Sequence, residues 1–187
     1  MRMNRIKVLD KYFKLYLTNQ EIEEAISKVA TRLNKDMKGV DTPIMLGVMT
    51  GAFMYTASLA QKIDFPCELS FIKLSSYNGV RTTGSVTQVF GLTTSVTGRT
   101  VIITEDIVDT GLTAEKLTKY FLERGATSVE MCTMLDKPSR RLTGIKPKYV
   151  GYEIEDKFVI GYGLDYNQLY RNINKVGVIN PKYIKEN

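Results

Sequence analysis

Apolar residues recur at intervals of three and four between residues 21 and 38. This spacing predicts an amphipathic helix, and Asn19 is a suitable N-cap residue in front of it. A second helix is predicted over residues 52–62, directly after a glycine turn. A third is predicted over residues 113–124, because its pattern stops at Gly125, a residue type that commonly follows a helix.

Short apolar and β-branched runs lie between these helices and predict strands. Strands that alternate with helices indicate an α/β fold, with a mainly parallel sheet covered on both faces. The polar, glycine-containing residues 75–85 are predicted to be a mobile loop or hairpin tip. No repeat or linker divides the chain, so one domain over residues 1–187 is expected. The predicted strands cover Ile44–Met49, Val86–Phe90 and residues 68–74, 100–104, 129–135, 149–152 and 157–160.

Residues 42–61 contain no charged side chain, a length that approaches a membrane span. Their proline, glycines and hydroxyl residues instead favour a buried strand, a turn and a helix, so no membrane segment is expected. The first nine residues carry three basic side chains and no apolar run, which argues against a signal peptide. The two cysteines lack metal-ligand spacing, and a reduced, cytoplasmic protein is expected.

The sequence contains no histidine, which excludes Ser–His and Cys–His nucleophiles and leaves carboxylates and lysines for acid–base work. The net charge is +6, from 26 basic and 20 acidic residues. Because the basic residues are spread along the chain, this charge suits a solvated surface or a polyphosphate ligand. Composition alone does not exclude a nucleic acid.

The chemistry is concentrated in residues 101–113, VIITEDIVDTGLT. A buried strand leads to Glu105 and Asp106, and a turn containing Asp109 leads into a helix. Ligands of open parallel sheets bind beyond the carboxyl ends of strands, and a helix N-terminus favours an anion. Gly111 allows close approach of the backbone to a phosphate, and Thr110 adds a hydroxyl.

An ordinary helix cap with solvated acids would explain Asp109 or Thr110 taken singly. Three carboxylates beside an anion-binding turn are a rarer combination, because they repel each other unless a cation or a polyol ligand is present. Neither a P-loop nor a dinucleotide-binding glycine pattern occurs in the chain.

Residues 101–113 resemble the phosphoribosyl pyrophosphate loop of the type I phosphoribosyltransferases. Three further segments resemble the hypoxanthine-guanine branch of that family. The resemblance covers roughly residues 44–179 and implies the phosphoribosyltransferase fold, with a small hood built from the chain ends and a flexible active-site loop. The three segments are SSY at residues 75–77, LDKPSRR at residues 135–141 and FVIGYGLDY at residues 158–166.

This resemblance implies a role for each candidate site residue. Asp109 would be the catalytic base that takes or shares the proton on purine nitrogen 7. Glu105 and Asp106 would hold the ribose hydroxyls, directly or through Mg²⁺. The 5-phosphate would be bound by the amides and hydroxyls of Asp109, Thr110, Gly111, Leu112 and Thr113.

On the purine side, Lys137 would donate to the 6-oxo oxygen and Phe158 would stack on the ring. The Val159 backbone would read the far edge of the base. Asp165 would lie beside the purine and hold a second Mg²⁺. The pyrophosphate would be contacted by Thr50, Gly51 and Arg171, and the lid would be formed by Ser76 and Tyr77.

One position departs from the family pattern. A Lys or Arg commonly precedes the glycine of the pyrophosphate turn, whereas this chain has Thr50 before Gly51. A side-chain contact to pyrophosphate would therefore be reduced to a hydroxyl.

The resemblance implies purine salvage, in which hypoxanthine and guanine react with phosphoribosyl pyrophosphate to give IMP or GMP. It also implies a homodimer or homotetramer that binds neither nucleic acid nor membrane. A xanthine-preferring enzyme is one alternative, since the far edge of the base is read by backbone and shape. A nucleic-acid-binding regulator with the same fold is the other.

Overall fold

The computed structural model describes residues 5–8, 11–77 and 86–179, and the side chains of residues 12–74 and 91–179. Three α-helices, one short 3₁₀ helix and ten strands lie within these ranges. They are β1 (Arg5–Val8), β2 (Lys11–Leu17), α1 (Asn19–Asp36), β3 (Ile44–Met49), α2 (Phe53–Ala60), β4 (Glu68–Tyr77), β5 (Val86–Phe90), β6 (Thr100–Val108), α3 (Leu112–Leu122), β7 (Ser128–Asp136), the 3₁₀ helix (Pro138–Arg140), β8 (Tyr149–Glu153), β9 (Val159–Ile160) and β10 (Val176–Ile179).

The larger sheet has the strand order β5-β4-β3-β6-β7-β8. The five strands β4, β3, β6, β7 and β8 are parallel. The edge strand β5 pairs antiparallel with β4. The predicted α/β class with a mainly parallel sheet between helices is therefore confirmed.

Helices cover both faces of this sheet because alternate strand residues point to opposite sides. On β3, Met45 packs in the cluster beneath α1 and α2, whereas Ile44 and Leu46 pack in the cluster beneath α3. On β6, Ile102 and Ile103 divide in the same way. The central strands are thus apolar on both faces, as expected for buried parallel strands.

Helix α1 begins at Asn19, two residues before the predicted start, and the assignment of Asn19 as its N-cap is wrong. Thr18 is the N-cap, and its hydroxyl accepts a hydrogen bond from the backbone N–H of Glu21 at 3.2 Å. The Glu21 carboxylate in turn accepts from the Thr18 backbone N–H at 2.8 Å. This reciprocal capping box is a Thr-x-x-Glu pattern that is visible in the sequence.

Two strands are longer than predicted. Strand β6 continues to Val108 because its ladder with β7 extends to the pairing of Val108 with Asp136. The acidic pair therefore lies inside the strand rather than beyond it. Strand β4 continues to Tyr77, so the first residues of the predicted loop are paired with β5. The rest of that loop, residues 78–85, lies outside the described ranges.

A second, four-stranded sheet with the order β1-β2-β10-β9 joins the two ends of the chain. All of its pairings are antiparallel. Strands β1, β2 and β10 were not predicted individually, but the sheet is the small hood that the family resemblance implied. It holds β9 beside the end of the larger sheet.

Both cysteines, Cys67 and Cys132, are free thiols, and Cys132 is buried against the hydroxyl of Tyr55 at 3.0 Å. No helix in the described part of the chain has the length and apolar character needed to cross a membrane.

The capping box predicts a measurable contribution to stability. Thr18→Ala removes the acceptor of the Glu21 amide and should lower the free energy of unfolding by about 1 kcal/mol. Urea denaturation measures this loss. Thr31→Ala is the matched control, because Thr31 is exposed in the middle of α1 and its hydroxyl bonds only to the Ser27 carbonyl. It should be neutral or slightly stabilising, and equal losses in both variants would contradict the capping role.

Candidate active site

A cavity of about 290 Å³ lies at the carboxyl ends of β3 and β6. The parallel strands bring together, in one wall, residues that are about 60 positions apart in sequence. Seven of the predicted site residues line it, and Leu112 instead begins α3 with half of its side chain exposed. The seven are Gly51, Glu105, Asp106, Asp109, Thr110, Gly111 and Thr113.

The acidic pair is held in an environment that disfavours its charge. Glu105 is buried, and burial together with the neighbouring Asp106 raises the pKa of the Glu105 carboxyl well above its usual value. Burial raises the pKa of Asp106 to about 6, although a hydrogen bond of 2.8 Å from the Ile107 backbone N–H partly opposes this. Ionised carboxylates in this position are stabilised by a cation or by hydroxyl donors.

Glycine is required where three segments of the cavity wall meet. A side chain at Gly51 would overlap the Asp106 carboxyl group, and a side chain at Gly163 would overlap the Gly51 carbonyl oxygen. Gly163 also has a φ of +98°, which favours glycine independently. The turn after β3, whose Met49–Thr50 peptide is cis, therefore lies directly against the acidic pair, with Thr50 exposed beside it.

The turn after β6 leaves the first amides of α3 without a side-chain cap. Gly111 is the N-cap residue, in the left-handed conformation with φ of +83°, and supplies no side-chain cap, although the Thr110 hydroxyl accepts a long hydrogen bond of 3.5 Å from the Leu112 backbone N–H. Behind the turn, Gly111 packs against Thr143 and Arg141. Uncapped amides at a helix N-terminus favour a bound anion, and they border the cavity.

Asp109, which lines this cavity, belongs to a cluster of four charged side chains. Lys137 is buried at the end of β7, with its Nζ 3.8 Å from Asp109 Oδ2 and 3.7 Å from Asp156 Oδ1. Arg140 Nε lies 2.8 Å from Asp109 Oδ1, and Arg140 Nη1 lies 3.3 Å from Asp156 Oδ2. Asp109 and Asp156 raise the pKa of the Arg140 guanidinium above its usual value.

Four further predicted residues lie between the residue before β9 and the start of β10. Phe158 is 47% exposed and makes an edge contact with Tyr166, their ring centroids being 6.1 Å apart. Val159 is buried and pairs with Val178 of β10.

Asp165 and Arg171 form an ion pair of 2.8 Å within this segment. Arg171 also donates to the Gly163 carbonyl oxygen at 2.8 Å and to Gln168 Oε1 at 3.0 Å. The guanidinium thus stabilises the glycine-containing turn that contacts Gly51. Its predicted contact with pyrophosphate stays a prediction.

The lid residues Ser76 and Tyr77 belong to β4, but their side chains lie outside the described residues. Within the described part of the chain, no group of three or more acidic, cysteine or histidine side chains is arranged to hold a metal ion.

Sequence reasoning missed three charged residues of this region. Arg140 and Arg141 follow Lys137 directly, and Arg141 forms an ion pair with the buried Asp136. Asp156 comes two residues before Phe158. The signal for Arg140 and Arg141 was available, because both belong to the charged run that follows a strand at the carboxyl edge of the sheet.

This arrangement is that of a site for a phosphorylated, hydroxyl-bearing ligand, with a buried acid pair on one side and an uncapped helix on the other. The chain matches the phosphoribosyl transferase domain over residues 14–167, which is most of its length. The protein belongs to the phosphoribosyltransferase family.

Relatives of known name support this assignment. The chain is 41% identical over 170 residues to the hypoxanthine-guanine phosphoribosyltransferase of Bacillus subtilis, covering 90% of this chain and 93% of that protein. A crystal structure of a hypoxanthine phosphoribosyltransferase from Staphylococcus aureus superposes with a TM-score of 0.83 at 36% identity, covering 92% and 94% of the two chains. The hypoxanthine phosphoribosyltransferase of Trypanosoma cruzi also gives 0.83, at 32% identity, with 95% and 96% covered.

The raised pKa of Asp106 predicts a pH-dependent loss of stability in the free protein. Its carboxyl titrates near 6 when folded and near 3.8 when unfolded, so stability should fall as pH rises from about 4 to about 6. Asp106→Asn removes the contribution of Asp106 to this fall and should make the protein more stable than wild type at pH 7 by about 1–3 kcal/mol.

Thermal melting without metal between pH 4 and 7 measures this difference. Asp64→Asn, at an exposed position, controls for the loss of one charge. If the wild-type and Asp106→Asn melting temperatures ran parallel across this range, burial of Asp106 would not be the cause.

Proposed function

We propose that this protein is a purine salvage enzyme that transfers the phosphoribosyl group of phosphoribosyl pyrophosphate to hypoxanthine, with guanine as the second expected substrate. The products are IMP or GMP and pyrophosphate. The observation that carries this proposal is the position of an acceptor, Asp109, and a buried donor, Lys137, beside the uncapped turn of α3.

The sugar phosphate fits the inner part of the cavity. The amides and hydroxyls of residues 109–113 bind the 5-phosphate, because the uncapped start of α3 offers several N–H donors to one anion. The Glu105 and Asp106 carboxylates accept hydrogen bonds from the ribose hydroxyls. These bonds replace the water that burial removes from both carboxylates.

The base places the edge that carries its 6-oxo oxygen and nitrogen 7 against Lys137 and Asp109. An ammonium group can only donate, so Lys137 prefers a 6-oxo to a 6-amino purine. Purine nitrogen 9 attacks the anomeric carbon, the bond from this carbon to the pyrophosphate oxygen breaks, and Asp109 accepts the proton of nitrogen 7. Asp109 Oδ2, which faces Lys137 at 3.8 Å, is the proposed acceptor of that proton, because Oδ1 is buried and lies 2.8 Å from Arg140 Nε.

The side chains present also fit Mg²⁺. This ion usually takes one or two carboxylates together with substrate oxygens. Glu105 and Asp106 supply carboxylates beside Gly51, and Asp165, close enough to affect the Asp106 carboxyl, supplies another. When bound with pyrophosphate, Mg²⁺ supplies neutralisation of the leaving group's charge.

Other residues complete the binding of the substrates. Phe158 offers an exposed ring for stacking on the purine, and the Val159 backbone reads its far edge. Asp165 and Arg171 lie on the pyrophosphate side, as do Thr50 and Gly51. Closure of the lid that contains Ser76 and Tyr77 would exclude water from the electron-deficient anomeric carbon.

The same proposal extends to the whole molecule. Residues 1–187 form one domain whose hood comes from the two chain ends, and the protein acts in the cytoplasm. A homodimer or homotetramer is the proposed assembly. It is supported by the relative from Trypanosoma cruzi, whose C-terminal region is described as having a role in its oligomeric state.

A panel assay tests the function. Purified protein is incubated with Mg²⁺, phosphoribosyl pyrophosphate and one base, and the nucleotide product is separated and quantified. Hypoxanthine and guanine should be converted rapidly, and a chelator should abolish conversion. Faster conversion of xanthine would identify the xanthine-preferring alternative. Folded protein that converts no base, but binds RNA at physiological salt, would support the regulator.

Replacing the proposed base separates chemistry from binding. Asp109→Asn should lower kcat by about 10²–10⁴-fold, because a positioned proton acceptor contributes that much. The KM for phosphoribosyl pyrophosphate should change little. Steady-state kinetics measures both, and Asp41→Asn, at an exposed site before β3, is the control. Wild-type kcat in Asp109→Asn would show that another group accepts the proton.

A further inference from the structure

Four charged side chains of alternating sign form a closed ring, and Asp109 connects this ring to the cavity wall. Each comes from a different segment: Asp109 from the turn after β6, Lys137 from the end of β7, Arg140 from the 3₁₀ helix and Asp156 from the loop before β9. Lys137 lies 3.8 Å from Asp109 and 3.7 Å from Asp156. Arg140 lies 3.3 Å from Asp156 and 2.8 Å from Asp109. Each cation therefore contacts both anions.

The two cations make different kinds of contact. Arg140 Nη1 donates to both carboxylate oxygens of Asp156 at 3.3 Å, and its Nε lies 2.8 Å from Asp109. Lys137 Nζ is 3.7 Å or more from each carboxylate, which is beyond hydrogen-bonding distance. Lys137 is therefore held by charge, while its N–H donors remain uncommitted to either carboxylate.

Asp109 is held in a similar way. Its Oδ1 is buried and engaged by Arg140 Nε at 2.8 Å, whereas its Oδ2 faces Lys137 at 3.8 Å, beyond hydrogen-bonding distance. The two groups that would meet the base, a donor and an acceptor, thus both keep their hydrogen-bonding capacity. An ammonium and a carboxylate in direct contact would instead be about 2.8 Å apart and would satisfy each other.

Arg140 and Asp156 explain why Lys137 and Asp109 do not close to that distance. Lys137 is attracted by Asp156 as well as by Asp109, and Asp109 is attracted by Arg140 as well as by Lys137. Each of the two inner groups is therefore drawn away from the other by an outer partner. The outer partners are more exposed, at 44% for Arg140 and 53% for Asp156, so their own solvation is partly retained.

We propose that Arg140 and Asp156 are positioning residues for base binding. They keep the Lys137 donor and the Asp109 acceptor apart and uncommitted, so a 6-oxopurine can engage both without first breaking an ion pair between them. This inference rests on the proposed function for the identity of the base. The separation of the two inner groups is a property of the free protein.

Kinetics of single variants tests the catalytic consequence. Arg140→Gln and Asp156→Asn should each raise the KM for hypoxanthine about tenfold, since base binding must then separate a direct pair. In these variants, the kcat and the KM for phosphoribosyl pyrophosphate should each change by less than about threefold. Arg140→Lys keeps the charge and should restore most of the affinity for hypoxanthine.

The double variant distinguishes a ring from two independent contacts. Both changes release the same inner pair. The fold increase in the KM for hypoxanthine in the double variant, Arg140→Gln with Asp156→Asn, should therefore be well below the product of the two single increases. Lys119→Gln is the control, since Lys119 pairs with Glu123 on the exposed side of α3. Melting temperatures establish that each variant is folded.

A crystal structure of Arg140→Gln without substrate tests the geometry independently of activity. The distance from Lys137 Nζ to Asp109 Oδ2 should shorten from 3.8 Å to about 3 Å. An unchanged distance, or an unchanged KM for hypoxanthine in both single variants, would overturn the positioning role. Wild-type protein that converts no base would instead contradict the proposed function, and the crystallographic distance would still decide whether the ring separates the pair.

Discussion

The burial of two adjacent carboxylates within a central strand is the constraint on which this structure depends. Glu105 and Asp106 lie in β6 beyond its last pairing with β3 at Thr104, and the ladder with β7, which continues to Val108, holds them in the strand. Their raised pKa values express the loss of water around them. Gly51 must have no side chain because the Asp106 carboxyl occupies that space. The turn after β3 and the segment after β9 are therefore shaped around these acids, and a cationic or hydroxyl-bearing ligand completes their environment.

Much of this site could be predicted because its chemistry is local in the sequence. Residues 105–113 carry the acid pair, the proposed base and the helix start in one run, and parallel strands always place such a run at the carboxyl edge. The fold class followed from strands alternating with helices for the same reason. The capping of α1 was missed at Asn19, although the Thr18 and Glu21 pattern was present, because either residue type is acceptable as an N-cap.

The remaining features arise from contacts that local patterns do not encode. Asp156 and Arg140 are 16 residues apart and meet only because the loop before β9 folds back onto the end of β7. Most hood strands are short, and β2 pairs with β10 across most of the chain length, so local periodicity was too weak to predict them. Strand β6 also extended beyond its apolar run, since pairing with β7 outweighs the low strand preference of acidic residues.

The hood has a consequence for the order in which the molecule is assembled during synthesis. The cavity walls come from residues 48–114, whose parallel strands are neighbours in sequence and can pair early. The segment around Phe158 is held by β10, which in turn is held by β2 from the other end of the chain. Contacts that span such distances form late. The sugar-phosphate half of the site can therefore form before the purine half, which is completed only when β10 pairs with β2 and β9.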